Sequence, residues 1–355
     1  MKKILQYSAI GALIILTACH KASQMPGDTN TLETTEQQVL TDFTNNVALS
    51  SYLKLSIAAA TLNASIQTLE ATPTDDNLQS ARNNWKSMRE IWEQSEGFLF
   101  GPVEDNDYDP NMDTWPTDYT QMDSLLASSN PLDVSDIQNL TLSLRGYHPI
   151  EYIIFGDHGS RKAADITARQ KKYMTSLSAD LTNTCNALYL SWSSAPVNFA
   201  QQVITAGTGS TKYTTRQDIF MAVAGGMIDI CDEVGGGKMK EPYDAKDPLL
   251  VESPYSGNSL IDFKNNIIGA QNVYLGVNGS KGIKDIVAAK NKSLDNKLQG
   301  LFTAAINSFD GITTTYEQAI LSQRIQSQQT MDAVLALKDA LENELVPYIQ
   351  QNIKD

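Results

Sequence analysis

LRGYHPIEYIIFG, residues 144–156, is the stretch around which the rest of the chain is organised. It carries one of the three histidines of the chain, His148, which stands three residues before Glu151. In a helix this spacing places the imidazole and the carboxylate on one face, about one turn apart. Pro149 favours a helix start, since the first turn leaves its N–H groups unpaired, and Gly156 is a C-terminal stop. The apolar run that follows His148 predicts that the pair lies against a core, within reach of a shared metal ion or proton.

The first 19 residues have the pattern of a bacterial lipoprotein signal. A basic start precedes a short apolar run, and the small-residue site L-T-A-C ends at Cys19. The apolar run is too short to span a bilayer. We therefore predict a signal in residues 1–19, a lipid anchor on Cys19 that holds the protein to a membrane outside the cytoplasm, and a flexible polar tether in residues 20–35. A cleaved secretory signal is the alternative.

Length, charge and cysteine content bound the fold and the partners. The 355 residues exceed the usual size of a single core, which predicts two domains, at residues 36–160 and 161–355. The formal net charge of −14 argues against nucleic acid as a partner, because phosphate binding needs a basic surface. Cys185 and Cys231 both fall in helical apolar stripes, which favours two buried free thiols over a disulfide.

Apolar residues recur at helical spacing from Glu36 onward without a convincing strand pattern, which predicts an all-α fold. In the second predicted helix, capped by Asp76, the apolar stripe includes Glu96. A carboxylate on that face must be paired, hydrogen-bonded or bound to metal. Two interpretations remain open: an ion pair with Arg89, seven residues earlier, or a functional carboxylate.

Other segments are predicted as loops or helices of the same fold. Phe98–Asp118 is predicted as a long acidic loop whose alternating aspartates resemble a calcium loop, although proline stands where that motif needs glycine and a closing glutamate. A solvated loop that lines a site is therefore favoured. A helix is predicted over Asp133–Arg145. The GGGK sequence at Gly235–Lys238 lacks the spacing of a P-loop and opens a connecting segment.

The two halves of the chain show a weak internal similarity. WEQSEGFLFGPVEDNDYDP from Trp92 parallels IDICDEVGGGKMKEPYDAKDP from Ile228. GYHPIEYIIFG parallels the shorter GAQNVYLG at Gly269–Gly276, which lacks both His and Glu. The pattern predicts two related helical bundles, of which only the first keeps the ligand pair.

The ligand types available favour some metals over others. Zinc peptidases of the common helical kind need H-E-x-x-H, with two imidazoles one turn apart, and this chain has one histidine in a suitable place. One histidine with several carboxylates suits iron, which helical bundles hold between facing Glu and Glu/His helices. The spacing alone is equally compatible with a core histidine that is hydrogen-bonded to its neighbouring glutamate.

The motifs together resemble the imelysin-like family, also called the insulin-cleaving membrane protease family. Its signature G-x-H-x-x-E is matched at Gly146, His148 and Glu151. Further matches are WEQSEGFLFGP, the W-P-x-D at Trp115–Asp118, GKM, ESPYS and N-x-x-x-A-x-x-x-Y-L-G. The resemblance implies an all-helical fold of two related bundles, an envelope location and a site at the domain junction. The family has been labelled both as metallopeptidases and as iron-regulated proteins.

These observations lead to a metal-binding hypothesis without catalysis. His148, Glu151 and Glu96 are the predicted ligands, and Arg89 and Arg145 are predicted to neutralise or orient the carboxylates. The predicted pocket residues are Gly146, Asp113, Trp115, Asp118, Glu252, Ser253 and Ser256. Iron, or a small iron-bearing ligand, is the expected cargo for uptake or sensing with an envelope transport partner, while zinc and calcium remain open. The alternatives are a metallopeptidase with Glu151 as base, and a helical scaffold that binds a protein or glycan.

Overall fold

A computed structural model describes residues 26–354, and the predicted signal and Cys19 lie outside these residues. The described chain is all-α, as predicted, and no β-strand occurs within it. Its helices are α1 Pro26–Asp42, α2 Leu49–Ala71, α3 Asp75–Ser95, α4 Pro102–Asp105, α5 Tyr108–Asp113, α6 Tyr119–Ala127, α7 Val134–Ile137, α8 Tyr147–Phe155 and α9 Ala168–Ser193. The chain continues with α10 Phe199–Ile204, α11 Arg216–Asp232, α12 Lys240–Ala245, α13 Ser259–Leu275, α14 Ile283–Lys290, α15 Lys292–Ser308, α16 Tyr316–Ser322, α17 Arg324–Ala340 and α18 Val346–Asn352. None of these helices is both long and apolar enough to cross a bilayer.

Helix α1 begins at Pro26 rather than at Glu36, so part of the predicted tether is helical. The reason is that Leu32 extends the buried stripe of Val39 and Leu40 by two turns. A π-helical segment, Phe43–Ala48, joins α1 to α2. The tether prediction therefore fails for residues 26–35.

Helix α3 buries the predicted stripe, which includes Trp85, Met88 and Trp92. Its cap is Thr74 and not Asp76, because the Thr74 hydroxyl accepts the hydrogen bond from the Asn77 N–H. Both faces of α3 are used: it packs against α2 on one side and against α13 on the other. Residues on α3 can therefore reach groups from the second half of the chain.

Three segments differ in secondary structure from the sequence-based prediction. The acidic loop contains α4 and α5, and the helix predicted over Asp133–Arg145 is reduced to α7 and a turn at Leu142–Leu144. Asn, Thr and Ser favour non-helical conformations, because their side chains bond nearby backbone groups. Asn139 does so here, since its side-chain amide donates to the Ser135 carbonyl, and this agrees with the short length of α7. Gly235–Lys238 is not a loop but the end of a π-helical segment, Glu233–Lys238, that continues α11 towards α12.

Helix α8 lies between Gly146 and Gly156, which both have positive φ, and it ends at Gly156 as predicted. Pro149 occupies the third helical position instead of the first, which still lies within the turn whose N–H groups are unpaired. A Cβ on Gly146 would collide with the backbone of Met112, at the end of α5. This close approach brings the acidic segment against the start of α8.

The predicted boundary at residue 160 separates helices that pack together. Helix α9 follows that boundary, but it packs more extensively against α2 and α8 than against the helices that come after it in the chain. The halves meet where α13 and α11 cross α3 and the turn Glu96–Phe98. The division into two domains stays a prediction.

The crossing of α3 and α13 depends on glycine. A Cβ on Gly97 would lie 2.6 Å from the nitrogen of Ala270, and a Cβ on Gly269 would lie 2.8 Å from the carbonyl carbon of Gln94. We expect Gly269→Ala to lower the free energy of unfolding by about 1–3 kcal/mol, because the backbones must move apart. Urea unfolding would measure this loss. Gly225→Ala on α11, where a Cβ meets nothing within 4 Å, is the control and should be neutral or stabilising.

Cys185 and Cys231 are free and buried, as predicted. The Cys185 sulfur lies 3.4 Å from the sulfur of Met112, so it packs against the segment that carries Asp113. Burial raises the pKa of both thiols far above the usual range. Neither cysteine contributes a reactive thiolate or a ligand to the site described below.

Candidate functional site

His148 lies on α8 between two carboxylates and is buried. Its Nε2 is 3.0 Å from Asp113 Oδ1, and its Nδ1 is 3.5 Å from Glu151 Oε2. Burial alone would lower the pKa of His148, but the hydrogen bonds to Asp113 and Glu151 raise it to about 9. In the metal-free protein at neutral pH both ring nitrogens are therefore donors.

Glu151 is held from its other side by the segment that precedes α13. Its Oε1 accepts hydrogen bonds from the Tyr255 N–H at 3.2 Å, the Ser256 N–H at 2.8 Å and the Ser256 hydroxyl at 2.7 Å. Three donors on one oxygen fix the carboxylate with Oε2 turned to the imidazole. Glu151 is thus placed to orient His148, as carboxylates behind metal-binding histidines commonly do.

Asp113, at the end of α5, was assigned only to the pocket wall but is the direct partner of His148. Its other oxygen, Oδ2, accepts a 2.6 Å hydrogen bond from the Trp92 indole, and Oδ1 also pairs with Arg89. Burial alone would raise the pKa of Asp113, but Arg89 and His148 hold this pKa well below its usual range. Asp113 is therefore ionised at neutral pH.

Arg89 does not pair with Glu96, contrary to the structural alternative weighed from the sequence. Its guanidinium lies fully buried among four other carboxylates: Glu93, Asp113, Glu252 at 3.1 Å and Asp262 at 3.9 Å. The reason is geometric, because Glu93 is one helical turn away whereas Glu96 lies beyond the end of α3. The tertiary fold brings the remaining partners of Arg89.

Glu96 pairs instead with Lys238, a buried residue that the sequence analysis missed. The Lys238 ammonium is 2.9 Å from Glu96 Oε2 and 3.1 Å from Glu252 Oε1. The indole of Trp115 lies over the ammonium at 5.1 Å. The continuation of the apolar stripe of α11 to Val234 was the sequence signal that the GGGK segment remains helical, with Gly235 and Lys238 buried.

Two further polar groups complete the cluster. Asp262 accepts a 2.7 Å hydrogen bond from the Ser253 hydroxyl, and its other oxygen accepts one from the Asn258 amide at 2.6 Å. The Asn266 amide donates to both Glu93 and Glu96 at 2.7 Å. Both Asp262 and Asn266 lie on α13, so the cluster is assembled across the crossing of α3 and α13.

The cluster contains more carboxyl groups than cations. Its six buried carboxylates are Glu93, Glu96, Asp113, Glu151, Glu252 and Asp262. Arg89 and Lys238 are the two permanent cations among them, and a protonated His148 is a third. Burial and the neighbouring Glu93 raise the pKa of Glu96 well above its usual range, which favours its protonated form unless a further cation is bound. Such a site gains from a further cation.

The residues present fit a metal ion. Asp113, His148 and Glu252 each offer one ligand atom within 4.8 Å of the other two, and all three are buried. Glu252 Oε2 is a buried acceptor with no hydrogen-bond donor among the described residues. His148 joins Asp113 and Glu252 in this donor group, whereas the predicted partners Glu151 and Glu96 fall outside it.

A small pocket reaches the cluster from the surface. Its volume is about 190 Å³, and its lining includes Glu96, Asp109, Asp113, Trp115 and Glu233. Burial, and then the neighbouring Asp113, raise the pKa of Asp109 to about 7. The pocket admits an ion or a few water molecules, and four of its eight lining residues are acidic.

The chain resembles known proteins over most of its length. The family model described as imelysin, which carries the peptidase label M75, matches residues 48–344. The chain belongs to the imelysin family. An iron-regulated protein A of Synechococcus elongatus is 28% identical over 350 residues, which cover 96% of this chain and 92% of that relative.

Two solved structures share the imelysin fold. A protein from Parabacteroides distasonis, assigned as an iron-regulated protein A precursor, has a TM-score of 0.81 at 23% identity and covers 91% of this chain and 96% of its own. An imelysin-like protein from Psychrobacter arcticum has a TM-score of 0.71 at 14% identity. The match covers 89% of this chain and 96% of the Psychrobacter chain. Both confirm the all-α fold expected from the resemblance.

Two residues expected in the imelysin-type site lie elsewhere. Arg145 pairs with Asp180 at 2.9 Å and with Asn111, because the bend at Gly146 turns it away from α8. Asp118 caps α6 through the Gln121 N–H at 2.9 Å. Neither contacts the cluster of the buried carboxylates described above. Trp115, Ser253 and Ser256 lie around it, as predicted, whereas Glu252, also predicted to line the pocket, is a member of the cluster.

Proposed function

We propose that this chain binds a single metal ion, with iron the expected metal, and that it does so without turning over a substrate. Asp113, His148 and Glu252 would hold the ion, and Glu151 would orient the imidazole. The observation that carries the proposal is the buried donor group of these three residues inside a cluster with more carboxylates than cations.

The donor chemistry supports a metal of the iron type. One imidazole nitrogen and carboxylate oxygens suit iron and manganese better than the nitrogen- and sulfur-rich sets of structural zinc sites. The bound metal would supply a positive charge that the cluster lacks. His148 must give up the Nε2 proton to bind, and Glu151 keeps the Nδ1 proton in place.

The relatives agree with an iron-related role. The Synechococcus elongatus relative, 28% identical over nearly the whole chain, is named an iron-regulated protein. Together with the lipoprotein pattern that ends at Cys19, this supports an envelope protein, anchored by lipid on the periplasmic or cell-surface face of the outer membrane, that captures iron or a small iron-bearing ligand for a transport partner.

A metallopeptidase is the second candidate, favoured by the peptidase label of the family model. It requires a base beside metal-bound water and a cleft for the peptide. Glu151 already accepts three hydrogen bonds on Oε1 and faces His148 with Oε2, and the pocket volume is about 190 Å³. These two features favour binding over proteolysis.

The test is metal binding by ligand-site variants. His148→Ala and Asp113→Asn are expected to weaken binding of ferrous iron by about a hundredfold or more, a loss of roughly 2.7 kcal/mol of binding free energy. Titration calorimetry under anaerobic conditions, with elemental analysis of the product, measures this. Asp118→Asn, outside the cluster, is the matched control and should bind like the wild type.

Further variants separate the ligand sets and the two functions. Glu151→Gln should weaken metal binding by about ten- to a hundredfold. The change disturbs the orientation of the ligand His148 but removes no ligand atom. If Glu96→Gln weakens metal binding more than Asp113→Asn does, the ligands are those predicted from the sequence, His148, Glu151 and Glu96, and the set proposed above is wrong. Metal-dependent cleavage of a protein substrate that disappears in Glu151→Gln with metal still bound would overturn the non-catalytic assignment.

A further inference from the structure

Lys238 occupies an unusual position for a lysine. It ends the π-helical segment Glu233–Lys238, and its ammonium is buried among carboxylates. Besides Glu96 and Glu252, it lies 3.9 Å from Glu93 Oε2 and 3.6 Å from Glu233 Oε1. A lysine is tolerated at such depth only where opposite charges surround it. Lys238 therefore acts as a cation supplied by the protein itself.

Two of the carboxylates that Lys238 contacts, Glu93 and Glu96, belong to a second possible metal-binding group. Glu93, Glu96 and Asp113 each offer a ligand atom within 4.8 Å of the others, and all three are buried. Asn266 adds an independent observation at this group, because its Oδ1 is buried without a hydrogen-bond donor among the described residues while its amide nitrogen contacts Glu93 and Glu96.

These two donor groups are adjacent, since they share Asp113, and a third group, Glu93–Glu252–Asp262, surrounds Arg89. Helical bundles rich in carboxylates commonly hold two metal ions a few ångströms apart. Lys238 contacts Glu96 Oε2 and also Glu252 Oε1 of the first group, while Glu252 Oε2 has no hydrogen-bond donor among the described residues and is left for an ion beside His148. The ammonium and a second metal ion would compete for the same carboxylate oxygens.

We propose that Lys238 is a tethered cation that fills the Glu93–Glu96–Asp113 donor group and restricts the cluster to one metal ion. The inference rests on the proposed function, since it presupposes an ion on the His148 side. Lys238 is then a residue that determines stoichiometry and not a ligand. Trp115 and the carboxylates hold its ammonium in place, and its positive charge neutralises these carboxylates as a second ion does in a two-metal site.

Counting bound ions tests the inference directly. We expect the full chain to bind one manganous or ferrous ion, and the Lys238→Met variant to bind two, as measured by elemental analysis after equilibrium dialysis. Lys238→Arg keeps the charge and should bind one. Lys240→Met removes an exposed lysine two residues later, which pairs only with Asp244 among the described residues, and should also bind one.

The outcomes distinguish this inference from the proposed function. One ion in both the wild type and Lys238→Met overturns the role of Lys238 alone. No ion in the wild type and one in Lys238→Met overturns the proposed function and supports the competition by Lys238. No ion in either overturns both. If circular dichroism shows that Lys238→Met does not fold, Lys238→Gln, whose amide still donates to Glu96 and Glu252, is counted in its place.

Discussion

Replacing Arg89 by methionine is expected to destabilise the protein by about 3–5 kcal/mol in the absence of metal, a large part of the stability of a typical domain. Arg89 is fully buried, and its guanidinium pairs with carboxylates from α3, α5, α13 and the segment before α13. Methionine fills similar space but leaves these carboxylates facing one another. The loss therefore comes from uncompensated buried charge and not from a cavity.

Urea unfolding of metal-free wild type and Arg89→Met, followed by circular dichroism, measures the difference. The control is Lys172→Met, which removes an exposed ion pair with Asp133 and should change stability by no more than about 1 kcal/mol. A variant within 1 kcal/mol of the wild type would mean that the carboxylates around Arg89 are protonated in the folded state. That result would also remove the charge argument for a metal ion.

Several elements of the site could be predicted from sequence because they are local. The G-x-H-x-x-E motif, its bounding glycines and the stripe of α3 all follow from spacings within one helix. His148 and Glu151 are therefore correctly placed on one face of α8. The free thiols of Cys185 and Cys231 follow from the same kind of pattern.

The partners of these residues could not be predicted, because they come from distant segments. Periodicity places Arg89 and Glu96 near one face, but it does not report that α3 ends between them. It gives no sign that Lys238, 142 residues after Glu96, enters the same cluster. Asp113 was misjudged for a similar reason, since a segment predicted as a loop offers no face from which to infer a partner.

The metal-free protein is expected to lose stability as the pH rises from about 6.5 to about 9, through deprotonation of His148. The pKa of His148 is raised to about 9 in the folded state by its bonds to Asp113 and Glu151, against about 6.5 in an unfolded chain. A raised pKa means that the folded state binds the proton more tightly. The stabilisation is therefore fully present below pH 6.5 and is lost by about pH 9.

The size of this effect follows from the shift, roughly 3 kcal/mol at about 1.4 kcal/mol for each pH unit. The measurement is urea unfolding of wild type and His148→Gln at pH 6, 7.5 and 9 in the presence of a chelator. The difference between the two proteins should shrink as the pH rises, because glutamine does not titrate. A difference that stays constant or grows would show that the pKa of His148 is not raised in the folded protein.

The same protonation links stability to metal binding. A His148 that is protonated at neutral pH must release its Nε2 proton when the metal binds, so metal affinity should rise over the pH range in which the metal-free protein becomes less stable. Titration calorimetry at pH 7.5 in two buffers of different ionisation enthalpy should report about one proton released per ion. Proton release that persists in His148→Gln would assign the proton to one of the crowded carboxylates, of which Glu96 has a strongly raised pKa.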